Sequence, residues 1–228
     1  MPGQQGRTAL VTGANSGIGF QAAVELARHG AVVLMACRDA GRGADARDRL
    51  VRQVPAALLA RPGSRVVTVS SIVHRFGSVR FDDLQREHGY GRWQAYSQSK
   101  LANALFTLEL DRRLRAAGAT TISVGAHPGY TSTGLMHSGP QLGGGVFAQV
   151  MGLAAPLTGQ SAAHGALPVL RAATDPAVRG GDYYGPRGPA ESRGAPRRVR
   201  YARTAYDERL ARRLWQASEA LTGTAFPA

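Results

Sequence analysis

Cysteine and lysine each occur once in this chain, as Cys37 and Lys100. A single thiol excludes an intrachain disulfide and a thiolate metal cluster, and no metal site is expected. Long apolar runs are missing as well: none reaches the ~18 residues of a membrane span. Met1 to Arg7 is polar and lacks the apolar stretch of a signal peptide. These absences point to a cytoplasmic protein. Acidic residues are also few, 15 Asp and Glu against 28 Lys and Arg, for a formal net charge of +13. Such an excess can mark affinity for nucleic acid or an anionic membrane. Here the arginines are scattered, and their one dense patch (Arg193, Arg197, Arg198, Arg200, Arg203) lies in a Gly/Pro-rich late segment. No binding motif accompanies them, so the charge reads as compositional bias and no nucleic-acid partner is expected.

What remains is a chain of 228 residues, 43% hydrophobic and 19% charged, the composition of one globular domain with a real core. The lone lysine stands out within it. Lys100 follows Tyr96 at the i, i+4 spacing that puts two side chains on one face of a helix. An ammonium beside a phenol favours the phenolate and lowers its pKa from ~10. A tyrosine tuned in this way exchanges a proton near neutral pH, as a general acid/base must. The plainer alternative is a packing tyrosine beside a solvated surface charge.

Arg7 to Val11 is a short apolar run that ends in Thr12-Gly13-Ala14-Asn15-Ser16-Gly17-Ile18-Gly19. A helical pattern follows, with Ile18, Ala22, Ala23, Leu26 and Ala27 on one face, and it stops at His29-Gly30. A second apolar run covers Ala31 to Ala36. Strand, glycine turn, helix and strand make one βαβ unit. Its glycines let the backbone approach a ligand, and the helix N-terminus offers free N–H groups to a pyrophosphate. Just after the second strand, an acidic residue would pair with the ribose 2′-hydroxyl of NAD. The chain has Cys37-Arg38-Asp39 there, and Arg38 suits a 2′-phosphate, so NADP is preferred. Asp39 could instead neutralise Arg38 or turn to the ribose itself.

Further on, 44–54 reads as a short polar helix and Arg65 to Ser70 as a buried parallel strand. A loop of mixed polarity leads to a long helix over 95–117 with Leu101, Leu105, Leu108 and Leu114 inward. Thr120 to Val124 is another strand, 160–173 an amphipathic helix, and Gly181 to Tyr184 a last short strand. A C-terminal helix covers 205–221 with Leu210, Leu214 and Leu221 inward. The glycine-rich 142–156 stretch fits either a substrate lid or a surface loop.

Four signatures now stand in order: Thr12-Gly13-x3-Gly17-Ile18-Gly19, Val69-Ser70-Ser71, Tyr96-x3-Lys100 and Pro128-Gly129-x3-Thr133. Together they resemble the short-chain dehydrogenase/reductase family. The stretches HRFGSVRFDDLQRE and AYSQSKLANALFTLEL look most like its retinol dehydrogenase and protochlorophyllide reductase branch. The resemblance implies a Rossmann-type doubly wound parallel sheet forming a single NAD(P)-binding domain over 1–228. It also implies an NADP-dependent oxidoreductase (NAD being the less favoured cofactor) that moves hydride between the nicotinamide and a carbonyl or alcohol of a lipophilic small molecule. Ser71 would hydrogen-bond the substrate oxygen, Tyr96 would pass it a proton, and Lys100 would bond the nicotinamide ribose and lower the pKa of Tyr96. Gly13, Asn15, Ser16, Gly17, Ile18 and Gly19 would line the pyrophosphate site, with Arg38 at the 2′-phosphate. Pro128, Gly129, Thr131 and Thr133 would frame the nicotinamide. A homo-oligomer, dimer or tetramer, is compatible with the same resemblance.

The chain departs from the family between about Val54 and Ala57. A third strand, an Asn-Asn-Ala-Gly strand end and a helix with a catalytic asparagine have no counterpart there. Two strand–helix units are absent, on the order of 60 residues at ~30 per unit. The missing strand would lie between the first strand and Arg65–Ser70. Those two must then pair directly, ~4.8 Å closer than the family arrangement, or leave the sheet split. A deletion remnant that at most binds nucleotide is therefore the alternative reading.

Overall fold

The structure, a computed structural model, describes residues 1–14, 16–36, 61–131 and 160–225. Within them the chain alternates strands and helices, as expected of an α/β fold with parallel strands. Strand β1 (Thr8–Thr12) leads through helix α1 (Gly17–Arg28) to β2 (Val32–Ala36), and the two strands pair in parallel from Thr8 opposite Val32 to Thr12 opposite Ala36. The expected helix over 44–54 and the glycine-rich 142–156 lie outside the described residues.

Strand β3 (Arg65–Val69) opens the second unit and pairs in parallel with β4 (Ile122–Ala126). Helix α2 (Arg92–Ala116) connects them, beginning three residues earlier than its apolar pattern suggests. Helix α3 (Ala162–Thr174) links β4 to β5 (Tyr183–Pro186), which continues the parallel sheet beyond β4. An unanticipated β6 (Pro196–Val199) then pairs antiparallel with β5. The chain closes with α4 (Glu208–Thr222), whose N-cap Asp207 accepts from the N–H groups of Arg209 and Leu210 at 2.9 and 3.0 Å. No helix of the described residues is long and apolar enough to cross a membrane.

The core of the larger unit lies against α2. Leu101, Ala104 and Leu105 pack on Tyr183, Tyr201, Ala205 and Ala211. One turn further on, Leu110 and Leu114 pack on Trp215 of α4. This indole is stacked at 5.5 Å on Phe106 and lies 4.5 Å below the Arg113 guanidinium. The expected inward set on α4 needs correction as a result. Leu210 and Leu214 are partly buried, but Leu221 is 62% exposed, because Ala211 and Trp215 take the centre of the packed face.

The strands form two sheets, β1–β2 and β3–β4–β5–β6. Among the described residues no ladder joins β1 to β3, so of the two outcomes foreseen for the missing strand the split sheet is the one adopted. The units are held together where α1 crosses α3. Ala22 and Leu26 pack there on Ala166 and Leu170, backed by Val11, Ile18 and Val33. Each leucine buried in that seam contributes about 2 kcal/mol.

Candidate functional site

The carboxyl ends of parallel strands are where an open α/β sheet places its ligands, and β3 ends at Ser70-Ser71. Ser70 continues the ladder, its N–H donating to Ala126 O at 2.8 Å. Ser71 is the N-cap of a short 3-10 turn over Ile72–Phe76, with its Oγ accepting from Val73 N–H at 3.4 Å. The adjacent face of α2 presents Tyr96 and, one turn on, Lys100. The Tyr96 phenol lies close enough to the Ser71 side chain to interact with it electrostatically. Lys100 Nζ lies 5.6 Å from the Tyr96 ring centroid and 3.4 Å from Val69 O. The three residues expected to carry the chemistry are thus brought together.

Their electrostatics depart from the expectation in one respect. Burial pushes the Tyr96 phenol above its ordinary value, and the neighbouring Ser71 side chain only partly offsets this. Burial also lowers the Lys100 ammonium. Desolvation disfavours both charged forms, and the ammonium head is directed at Val69 O, so here Lys100 does not depress Tyr96. The spacing of the two residues was legible; the degree of their burial was not. At neutral pH this phenol is a proton donor.

In the glycine turn between β1 and α1, Gly13 and Gly17 hold left-handed backbone angles, φ 64° and 57°. A β-carbon at Gly19 would run into the Gly13 carbonyl, so only glycine lets α1 start this close to β1. Ser16 is the N-cap of α1 in extended conformation, and Ile18 lies in its first turn, which carries no acidic side chain. Asn15, Arg38 and Thr133 lie outside the described residues. Pro128, Gly129 and Thr131 follow β4. Gly129 is left-handed at φ 70°, and a β-carbon there would strike Ser192 O. Gln160 braces this loop, donating from Nε2 to Pro128 O at 2.6 Å. An adjoining cleft of about 550 Å³, lined by Gln160, His164, Arg187 and Arg193 among others, includes none of Ser71, Tyr96 and Lys100.

Several residues around the site carry no motif. Asn103 donates from Nδ2 to Val69 O at 3.0 Å, the carbonyl that Lys100 also approaches. Its i+3 spacing from Lys100 was the one available signal. His127 Nδ1 accepts from Gly129 N–H at 3.2 Å, and its other ring nitrogen donates to Glu191 Oε2 at 2.9 Å. Arg75 Nη2 donates to Glu191 Oε1 at 2.8 Å and to Arg200 O at 3.3 Å. Burial would raise Glu191, but its bonds from His127 and Arg75 prevail and hold the carboxyl at about 2. His74 is buried behind Ser71.

Comparison with known proteins agrees with this arrangement. No family model matches the chain. Mouse polyprenol dehydrogenase is 30% identical over 300 residues, covering 98% of this chain and 86% of that protein. That alignment is longer than the 228 residues of the chain, so the relative carries stretches without a counterpart here. Human retinol dehydrogenase 12 is 32% identical over 202 residues, and the match covers 58% of this chain and only 63% of that protein. Among solved structures, an uncharacterised protein from Mycobacterium paratuberculosis superposes with a TM-score of 0.76 at 33% identity, covering 100% of this chain and 97% of the other. A gluconate 5-dehydrogenase-like structure from Beutenbergia cavernae with bound NADP shares the fold, with a TM-score of 0.55 at 20% identity over 79% of this chain and 95% of its own. From the ordered glycine, serine, tyrosine–lysine and proline–glycine signatures to the full-length relatives, the observations agree that this chain belongs to the retinol dehydrogenase-like branch of the short-chain dehydrogenase/reductase family of oxidoreductases.

Proposed function

We propose that the chain transfers hydride between NADP and a carbonyl or alcohol carbon of a lipophilic small molecule. The observation that carries this reading is the juxtaposition of the Ser71 side chain and the Tyr96 phenol, with Lys100 Nζ 5.6 Å from the Tyr96 ring centroid one turn along the same helix. Ser71 holds the substrate oxygen and Tyr96, which is protonated at neutral pH, gives it a proton as general acid. NADP, when bound, supplies or accepts the hydride.

The nucleotide end fits such a ligand. A β-carbon at Gly13 would meet only open space, and α1 offers its positive end without an acidic side chain to repel a pyrophosphate. Arg38 would hold the 2′-phosphate, and Pro128, Gly129 and Thr131 would flank the nicotinamide. The retinol and polyprenol dehydrogenases, by their names, act on apolar alcohols, which supports a lipophilic substrate. The NADP in the Beutenbergia structure supports the choice of cofactor.

A second reading is favoured by the divided sheet: a chain that binds nucleotide without turnover. One experiment separates the two. A thermal melt with NADPH at 100 times its dissociation constant should show ~2.7 kcal/mol of stabilisation, and NADPH consumption should then follow with retinal-like and other apolar carbonyls. Stabilisation without consumption across that panel favours the second reading, and an unmoved melt defeats both.

A further inference from the structure

We infer that His74 is a positioning residue that sets the orientation of Ser71 through the Ser71 carbonyl, an inference resting on the reading of Ser71 as the group that holds the substrate oxygen. His74 sits in the 3-10 turn that Ser71 caps and is 1% exposed. Its Nε2 lies 2.8 Å from the backbone N–H of Ala202. A backbone N–H can only donate, so Nε2 accepts and carries no proton. The ring proton is therefore on Nδ1, which donates to Ser71 O at 2.6 Å. His74 N–H donates to the same oxygen at 3.1 Å, so the Ser71 carbonyl is held twice by one residue.

The ring itself is fixed. Tyr183 and Tyr201 stack on each other at 4.2 Å, and each meets His74 edge-on, at 5.4 and 6.2 Å. Arg75, its neighbour, ties the other side of the turn to Glu191 and Arg200 O. By contrast the Ser71 side chain has weak local restraint, a 3.4 Å contact from Val73 N–H. The direction of the hydroxyl thus follows the peptide that carries it, and the peptide follows His74. Burial keeps the ring neutral down to about pH 4, which preserves the acceptor at Nε2. A merely structural histidine would satisfy the Ala202 contact and matter to catalysis only through stability.

Two variants of the full chain separate these roles. His74→Asn places an amide nitrogen near Nδ1 and keeps the bond to Ser71 while losing that to Ala202. His74→Gln reaches the Ala202 N–H with Oε1 and gives up the bond to Ser71. We expect His74→Asn to retain a kcat near the wild-type value and His74→Gln to lose about 10²-fold, the cost of a ~1 Å misplacement, with the KM for NADPH unchanged in both. Equal losses of kcat, or losses that follow the fall in melting temperature, would overturn the inference. If the wild-type chain consumes no NADPH with any carbonyl, the hydride-transfer reading fails, and amide hydrogen exchange then decides the fate of His74. Slow exchange at the His74 amide should survive in the Asn variant and disappear in the Gln variant; equal exchange in the two would remove the positioning role.

Discussion

The hydroxyl of Ser70 donates to the backbone carbonyl of Lys100 at 2.8 Å. This bond joins the end of β3 to the third turn of α2, and so keeps Ser71 and Tyr96 in register. Ser70→Ala should cost about 1 kcal/mol, read as a lower urea midpoint with an unchanged slope. Its kcat should fall further than that loss accounts for. An intact kcat at a lowered midpoint would show that the register has other keepers.

Tyr96→Phe should abolish NADPH consumption while the stabilisation by NADPH in a thermal melt stays nearly intact. The variant keeps the ring and loses only the proton that the substrate oxygen needs. Continued turnover would take Tyr96 out of the mechanism.

Gly19→Ala should eliminate the NADPH-induced stabilisation, because its β-carbon meets the Gly13 carbonyl and drives the start of α1 away from β1. Calorimetric titration is the check, and tight NADPH binding by this variant would place the nucleotide elsewhere.

Arg38→Ala should weaken NADPH more than NADH, since a 2′-phosphate loses its charge partner and a 2′-hydroxyl does not. Dissociation constants for both dinucleotides test it. Equal weakening would mean that Arg38 does not read the phosphate.

Acid should destabilise the fold in two stages. His74 falls from 6.5 to about 4 on folding, chiefly by burial, with Arg75 and His127 lowering it further and Ser71 and Glu191 opposing. Between those values the unfolded chain holds a proton that the folded chain refuses, so stability drops as pH falls through this window, by on the order of 3 kcal/mol. Glu191 behaves as a depressed carboxylate: its stabilisation, full above 4.5, is lost as pH falls toward about 2. Urea midpoints from pH 7 downward should show the first stage in the wild type and not in His74→Asn. A first stage that persists in the variant would assign it to other groups.

Much of the architecture was legible because it is written in apolar runs. Apart from Arg65, the residues of β1, β2 and β3 are β-branched or aliphatic, and Leu101, Leu105 and Leu114 recur at helical spacing. Strand β6 was not, since Pro196, Arg197 and Arg198 carry no alternation and pair only because β5 offers an open edge. Leu221 was placed inward by periodicity, whereas the packed face of α4 is set by Trp215, held between Phe106 and Arg113. In the site, Ser71, Tyr96 and Lys100 could be singled out by type and spacing. The rise in the Tyr96 pKa could not, because it depends on burial by residues distant in sequence. His74 and Asn103 were missed for a similar reason: each acts on a backbone carbonyl, and a carbonyl has no signature in a sequence.

The divided sheet changes what a dinucleotide would do on binding. In an unbroken parallel sheet, the ladder alone keeps the phosphate loop at a set distance from the proton donor. Here Gly13 and Gly19 ride on one sheet and Ser71 on the other, joined by the meeting of α1 and α3. A ligand reaching from the glycine loop to Lys100 would act as a rivet across that joint. Its apparent affinity would carry the free energy of holding the joint closed. Substitutions at Leu26 or Leu170, within the packed seam, would then read out as changes in cofactor binding, and cofactor would in turn report on the health of the joint.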